Sequence, residues 1–141
     1  MIDIDRLTEL GMVRERQEEA LRLKVYKDSR DILTIGYGRN LEDRGISKAE
    51  AEMMLANNVT AAISECLKSI PCFRDLSEPR QLVLIDMAHN MGIGRLMGFR
   101  NMLAALAAGD YARAAVEIRD SDYWRSETHN RAERNAQIME A

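Results

Sequence analysis

The 141-residue sequence lacks a long hydrophobic run and a concentration of positive charge. A membrane span needs roughly 18 or more consecutive apolar residues, and no such run occurs, so we expect no stable membrane insertion. The net charge of −3, from 20 basic and 23 acidic side chains, argues against nucleic acid as a partner, because nucleic-acid binding usually needs a concentrated basic surface. The length predicts a single domain over residues 1–141.

Cysteine and histidine are also scarce, with two of each. Cys66 and Cys72 flank a short segment, and two reduced thiols are favoured over a disulfide, which stays an alternative. His89 and His129 belong to no Cys/His cluster with the spacing of a zinc site. The sequence therefore predicts no metal and no cofactor.

The first ten residues, MIDIDRLTEL, carry too much acidic charge for a signal peptide. We therefore expect synthesis in the cytoplasm without a visible export address. A substrate outside the inner membrane would then require a separate route of release.

Hydrophobic periodicity predicts helices with one β-like interruption near the N-terminus. A helix is predicted over residues 3–20 and a hairpin over 21–40, where apolar residues alternate around turn residues and glycines. Ser47 and Glu50 form a capping box before an amphipathic helix of about 22 residues that ends at Pro71. Later helices are predicted from Ser77 to about Gly92, from Gly98 to Ala108, from Asp110 through Ile118, and from near Asn130 to the end.

These elements predict an α+β, mostly α fold. It consists of a small N-terminal β-hairpin lobe, a long connecting helix and a larger helical lobe. The small lobe covers roughly residues 19–50, and the helical lobe covers roughly 1–18 and 60–141. A groove between two lobes is a usual place for a ligand.

Glu19, Asp28 and Thr34 are the strongest candidates for catalysis. Glu19 ends the first predicted helix, Asp28 lies at the hairpin turn, and Thr34 lies on the second strand. Glycoside hydrolysis needs one protonated carboxylic acid and one ionised carboxylate, and these residues supply both groups. Spacing alone leaves the alternative that both carboxylates are solvated surface charges.

Other polar and aromatic residues have two interpretations each. Asp86, His89 and Asn90 share one face of an otherwise apolar helix. They form either an internal hydrogen-bond network or the floor of a cleft that binds sugar hydroxyls. The rings of Tyr26, Tyr37 and Trp124 either stack on sugars or contribute to packing.

Two adjacent segments carry a family resemblance. EALRLKVYKD at residues 19–28, followed by TIGYG at 34–38, closely resembles the active-site region of glycoside hydrolase family 24, the phage lysozymes of the T-even type. The resemblance implies a lysozyme-like fold and a muramidase that cleaves bacterial peptidoglycan. It implies that Glu19 is the general acid, and that Asp28 and Thr34 hold the attacking water. An inverting enzyme of this kind is expected to separate its two carboxyl groups by roughly 6.5–9.5 Å.

A second segment, from Trp124 to Arg134, resembles the family pattern W…T-x-N-R-A-x-R. In the family this arginine pairs with the catalytic glutamate, which makes Arg131 the expected partner of Glu19. Asn130 is its neighbour in the motif. The resemblance also favours Asn90, because the corresponding helix borders the active site. With Tyr37, these residues are the predicted substrate-binding or positioning set.

Several positions depart from the family pattern. Ala20 replaces a common glycine, Arg39 replaces a histidine, and Arg30-Asp31 replaces a glycine in the hairpin turn. Residues 40–47 form a shorter segment than in the family. Asp31 adds a negative charge, which is expected to raise the pKa of Asp28.

Three functions remain as hypotheses. The first is a muramidase that lyses the host cell, works as a monomer in the periplasm or cell wall, and needs a holin for access. The second is a lytic transglycosylase acting on the same bond without water. The third is a non-catalytic module that binds glycan or another protein.

Overall fold

The computed structural model describes residues 1–126 and 128–141. Its strands are β1 (Arg22–Lys27), β2 (Leu33–Gly36) and β3 (Arg39–Asn40), which form one antiparallel sheet in the order β1-β2-β3. A 3₁₀ helix covers Phe73–Asp75. The α-helices are α1 (Ile4–Glu18), α2 (Leu41–Arg44), α3 (Lys48–Ser69), α4 (Glu78–Met91), α5 (Ile93–Met97), α6 (Arg100–Ala107), α7 (Tyr111–Arg119), α8 (Asp122–Arg125) and α9 (His129–Glu140). The predicted α+β, mostly α class is confirmed.

The contacts divide the chain into two compact units. Unit 1 is Met1–Glu52 and unit 2 is Met53–Ala141. Residues 1–18 belong to unit 1, whereas the sequence assigned them to the helical lobe. Helix α1 buries none of its residues. The single lysozyme-like domain stays a prediction.

In unit 1, helix α1 begins and ends as its local sequence requires. The side chain of Asp3 accepts a hydrogen bond from the Arg6 amide at 2.9 Å and so caps the first turn. Glu19 leaves the helix with extended backbone angles, while its amide still donates to Glu15 at 2.8 Å. The predicted position of Glu19 at the helix end is confirmed.

The sheet of unit 1 has one more strand than the predicted hairpin. β1 pairs with β2 through Tyr26 opposite Thr34, and β2 pairs with β3 through Thr34 opposite Asn40. Thr34 is therefore on the central strand, where it is 4% exposed. Strand β3 and the short helix α2 were missed because each has four residues or fewer, too few for a recognisable period.

The capping box of α3 is confirmed. The Glu50 amide donates to Ser47 Oγ at 3.1 Å, and the Ser47 amide donates to Glu50 Oε1 at 2.9 Å. The helix has 22 residues and ends two positions before Pro71. Both its start and its length therefore follow the prediction.

Unit 2 contains the hydrophobic core. Its largest fully buried side chains come from α3 to α9, where α7 packs against α6 and α9, and α4 packs against α5 and α9. They are Cys66, Val83, Leu84, Met87, Leu96, Met102, Ile118 and Met139. Cys66 and Cys72 are both free thiols, and burial raises the pKa of the Cys66 thiol to about 11. None of the helices described here is long and apolar enough to cross a membrane.

The helix boundaries in unit 2 mostly follow the predicted caps. The Asp110 side chain accepts from the Arg113 amide at 3.0 Å, and Ser77 precedes α4. Gly92 ends α4 as predicted, and Gly94 lies inside the five-residue helix α5, which the sequence did not predict. Helix α8 was missed because a four-residue helix has no recognisable period.

An ion pair between α7 and α9 makes stability in unit 2 depend on pH. Hydrogen bonds from Arg119, and then from Trp124, lower the pKa of Glu133 from 4.5 to about 2. A depressed carboxyl pKa stabilises the fold above the unfolded value, and this contribution is lost as the pH falls from about 4.5 to 2. We expect the thermal midpoint of Glu133→Gln to fall less steeply than that of the wild type over this window. Equal slopes in calorimetric scans would contradict the assignment.

Candidate active site

In unit 1, the Glu19 carboxylate lies directly against the backbone of Gly38. A Cβ atom built on Gly38 would be 2.8 Å from Glu19 Cδ and 3.0 Å from each carboxylate oxygen. Any side chain at position 38 would force the Glu19 carboxylate to move from this place. Gly38 also has a φ of +72°, in the left-handed region that glycine enters without strain.

Asp28 shapes the turn between β1 and β2 with one of its two carboxylate oxygens. Oδ1 accepts from the Arg30 amide at 2.8 Å and from the Ile32 amide at 3.0 Å. Oδ2 accepts no hydrogen bond from any residue of unit 1. Of the two carboxylate oxygens, only Oδ1 helps to hold the turn, which leaves Oδ2 for another donor.

The electrostatics of this turn correct one expectation. The hydrogen bond from the Ile32 amide lowers the pKa of Asp28, and burial partly raises it. The hydrogen bond from the Arg30 amide and the positive charge of Arg30 lower this pKa further. The net result is a pKa below the ordinary value, so the expectation that Asp31 raises it was wrong. Asp31 instead pairs with Lys27 at 3.5 Å and has a φ of +64°, which is how the turn forms without glycine.

Thr34 and Asp28 meet at a single backbone atom. The Thr34 hydroxyl donates to the Ile32 carbonyl oxygen at 2.8 Å, and the Asp28 amide donates to the same oxygen at 3.0 Å. The structure thus links the Thr34 side chain and the Asp28 backbone through one carbonyl oxygen. The Thr34 proton is committed to Ile32, so its oxygen remains as an acceptor.

Arg39 fastens the strand that follows Gly38 to the start of α3. Its guanidinium forms two hydrogen bonds to the Glu50 carboxylate, at 2.9 and 2.7 Å, and one to the Gly45 carbonyl at 3.1 Å. The Arg39 hydrogen bond, followed by bonds from Ser47, lowers the pKa of Glu50 to about 2. Tyr37 lies in the turn before Gly38 and is 46% exposed.

In unit 2, Arg131 binds a carboxylate other than the predicted one. Its Nε lies 3.0 Å from both oxygens of Asp86, and Nη2 also donates to Asp86. The predicted pairing of Arg131 with Glu19 would join residues of different units, and it stays a prediction. The sequence did not predict Asp86 as the partner of Arg131, because residues 45 positions apart share no local pattern.

Asp86 is the centre of an internal polar network, as one of the two interpretations predicted. The Asn135 amide donates to Asp86 Oδ2 at 2.8 Å and to the Tyr123 hydroxyl at 3.1 Å. Burial raises the pKa of Asp86, but hydrogen bonds from Arg131 and Asn135 outweigh it, so the pKa lies below the ordinary value.

The other two polar residues predicted to share a helix face with Asp86 are exposed. His89 and Asn90 face outward, and Asn90 lines a cavity of about 1000 Å³ in unit 2. The cavity combines charged and aromatic side chains, among them Arg95, Phe99, Arg100, Glu117, Asp120, Asp122 and Tyr123. Asn130 is exposed in the first turn of α9, which begins one residue earlier than predicted.

The aromatic residues divide between packing and exposure. Trp124 donates to Glu133 at 2.8 Å and packs edge-on against His129, with ring centroids 4.1 Å apart. The Arg22 guanidinium lies 4.7 Å from the centre of the Tyr26 ring. Tyr37 is the most exposed of the three predicted stacking residues, which keeps it as a candidate for sugar contact.

Replacing Asp86 tests the network. Asp86→Ala leaves the Arg131 guanidinium and the Asn135 amide, in a residue only 6% exposed, without their carboxylate acceptor. We expect the free energy of unfolding to fall by about 2 kcal/mol, since hydrogen bonds to charged groups contribute that order. Urea titration measures the change. Asp120→Ala, which removes an exposed ion pair with Arg125, is the control and should cost less than about 0.5 kcal/mol. Equal costs would contradict the network.

Comparison with known proteins gives consistent results. The profile of the family described as phage lysozyme matches residues 16–134. The chain is 30% identical to the pre-baseplate central spike protein Gp5 of Enterobacteria phage T4, over 88% of this chain and 26% of that protein. It is 23% and 22% identical to probable T4-type lysozymes 1 and 2 of Dictyostelium discoideum, over 89% of this chain and 90% of each relative. The chain therefore spans about a quarter of the spike protein and most of each T4-type relative.

Proposed function

This chain belongs to the phage lysozyme family and is a glycoside hydrolase of the lysozyme type, and from this premise we propose that it hydrolyses the β-1,4 bond between N-acetylmuramic acid and N-acetylglucosamine. The observation that carries the proposal is the meeting of Asp28 and Thr34 at the Ile32 carbonyl oxygen. Asp28 reaches that oxygen through its backbone amide and Thr34 through its hydroxyl, and each residue keeps one side-chain oxygen, Asp28 Oδ2 and Thr34 Oγ1, that can accept a hydrogen bond from a catalytic water.

Glu19 is the proposed general acid. Its side chain is exposed, and its carboxylate accepts no hydrogen bond from other residues of unit 1. A protonated carboxyl group in that situation can give its hydrogen to the glycosidic oxygen as the bond breaks. Contact with Gly38 limits where the carboxylate can lie, and so supports a defined direction of proton transfer.

Asp28 and Thr34 are the proposed water-binding pair. A water molecule that donates one hydrogen to Asp28 Oδ2 and the other to Thr34 Oγ1 keeps a lone pair free for the anomeric carbon. As the new C–O bond forms, Asp28 takes one proton of the water and Glu19 has given its own to the leaving oxygen. Direct attack by water inverts the anomeric centre, which is expected with carboxyl groups roughly 6.5–9.5 Å apart.

Four further residues are proposed to contact or position the glycan. Asn90 is exposed on the cavity of unit 2, and Tyr37 is exposed in the turn that precedes Gly38. Arg131 is proposed to orient Glu19, since Asp86 holds Nε and Nη2 while Nη1 makes no bond in the described part of unit 2. Asn130, exposed beside Arg131 in α9, is proposed as a neighbouring polar contact.

The proposed biological role is lysis of the bacterial host. We propose that the enzyme is made in the host cytoplasm, reaches the periplasm or wall through a holin, and acts there as a monomer on peptidoglycan. No nucleic acid, metal or cofactor enters this proposal.

Product analysis tests the reaction. Purified peptidoglycan digested in isotope-labelled water should give reducing N-acetylmuramic acid ends that carry the label at the anomeric carbon. Anhydro-muramic ends without label would replace hydrolysis by lytic transglycosylation, and absence of any cleavage would favour a non-catalytic module. Proton NMR of the first products should show the α-anomer, as inversion requires.

A further inference from the structure

Two glycines, Gly36 at the end of β2 and Gly38 in the turn that follows, have almost the same φ angle but different surroundings. Gly36 has a φ of +70° and Gly38 a φ of +72°. A Cβ on Gly36 would have no atom within 4 Å, whereas a Cβ on Gly38 would enter the Glu19 carboxylate. A side chain at either position would therefore strain the backbone, but only a side chain at position 38 would also clash with the Glu19 carboxylate.

The residue after Gly38, Arg39, begins β3 and is anchored to both β2 and α3. Arg39 pairs with Ile35 across the β2–β3 ladder, and its side chain reaches α3 through two hydrogen bonds to Glu50. A planar guanidinium that binds both oxygens of a carboxylate fixes orientation as well as distance. Glu50 is itself held by the amide of Ser47, so the anchor is the capped first turn of a 22-residue helix.

Hydrogen bonds from backbone amides also link this part of the sheet to the short helix α2. The Leu33 amide donates to Glu42 of α2 at 3.1 Å, and Asn40 caps α2 by accepting from the Asp43 amide at 3.0 Å. Strands β2 and β3 are thus both fastened to helices of unit 1. The Glu19 carboxylate lies against the backbone of Gly38, which stands between these two anchored strands.

We infer that Gly38 and the Arg39–Glu50 ion pair form a seat for the Glu19 carboxylate, with Arg39 and Glu50 acting as positioning residues for proton transfer. This inference rests on the proposed function, in which Glu19 is the acid. Neither Arg39 nor Glu50 touches the reacting atoms. Their role is to hold the Gly38 backbone where the carboxylate meets the leaving oxygen.

Paired glycine substitutions test the seat. Gly38→Ala should lower kcat about 100-fold with KM near the wild-type value, because misplacing a catalytic group by about 1 Å has an effect of that order. Gly36→Ala introduces the same left-handed strain without a clash, so it should lower the melting temperature by a similar amount and keep most of the activity. Equal loss of kcat in the two variants would overturn the inference.

The ion pair is tested without changing the turn itself. Arg39→Lys keeps the charge but loses the two-oxygen geometry, and Glu50→Gln loses the charge. Both should lower kcat roughly tenfold with little effect on KM. Arg119→Lys, which weakens a comparable pair with Glu133 in unit 2, should lower stability and leave kcat unchanged. Wild-type kcat in Arg39→Lys and Glu50→Gln would overturn the positioning role.

A substrate that needs no acid separates positioning from general loss of structure. In a peptidoglycan fragment that carries a dinitrophenyl leaving group, dinitrophenolate departs without protonation. Gly38→Ala and Arg39→Lys should therefore cleave this substrate at close to the wild-type rate. A rate as low as on the natural substrate would overturn the inference. The reference variant is Glu19→Gln: if it retains full activity on natural peptidoglycan, the proposed function fails. If Glu19→Gln is inactive while Gly38→Ala and Arg39→Lys remain fully active, only the seat fails.

Discussion

Glu19→Gln is expected to lower kcat for peptidoglycan hydrolysis by about 10²–10⁴-fold, which is the usual contribution of a positioned proton donor. The carboxamide has the size of the carboxyl group but has no acidic proton to give to the leaving oxygen. Because Glu19 is exposed, the free energy of unfolding should change by less than about 0.5 kcal/mol. Clearing of a suspension of chloroform-treated Gram-negative cells, followed as turbidity, measures the activity.

Glu18→Gln is the matched control for this substitution. Glu18 is the last residue of α1 and is exposed like its neighbour. It should lyse cells at the wild-type rate, because the atoms nearest to a Cβ on Gly38 belong to the Glu19 carboxylate and not to Glu18. Lysis by Glu19→Gln at the wild-type rate would remove Glu19 from the mechanism. A strong loss of lysis in Glu18→Gln would show that the role of general acid had been assigned to the wrong glutamate.

Asp28→Asn is expected to lower kcat by about 10²–10³-fold while leaving the turn intact. The asparagine Oδ1 can still accept from the Arg30 and Ile32 amides, so both side-chain hydrogen bonds of the turn are kept. Its Nδ2 replaces the free Oδ2 and donates hydrogens, so it can neither accept a hydrogen bond from the attacking water nor take its proton. Circular dichroism and thermal melting should therefore resemble the wild type, with the loss confined to activity.

The pH dependence gives a second observation on Asp28. The Ile32 amide bond, only partly opposed by burial, holds the pKa of Asp28 below its ordinary value. The carboxylate therefore stays ionised on the acidic side of the range in which an ordinary aspartate would be protonated. In a plot of activity against pH, protonation of Asp28 should therefore reduce activity only below the usual pKa range of aspartate. A loss of activity that begins at higher pH would have to come from another group.

Asp31→Asn is the control for the charge in this turn. Asp31 is exposed and has a φ of +64°, which asparagine adopts readily, so the turn is preserved. It removes one negative charge close to Asp28 and should keep close to wild-type activity. A loss equal to that of Asp28→Asn would mean that the total charge of the turn, rather than the Asp28 carboxylate, supports the reaction.

Local sequence determined most of the elements in this protein. The Ser47–Glu50 box set the start of α3, Asp110 set the start of α7, and the end of α1 at Glu19 followed from its pattern. These features depend on residues a few positions apart, so sequence contains the whole interaction. The family motif at 19–38 likewise pointed to Asp28 and Thr34, which the sheet brings to one carbonyl oxygen.

Tertiary structure decided the contacts between distant residues. That Arg131 binds Asp86, that Arg39 binds Glu50, and that the Glu19 carboxylate rests on Gly38 depend on backbone paths that no local period encodes. The sequence supplied the charges and the glycine, but many carboxylates and arginines could have paired. Which of them met was determined by the packing of helices and strands, because ion pairs and close backbone contacts form only within a few ångströms.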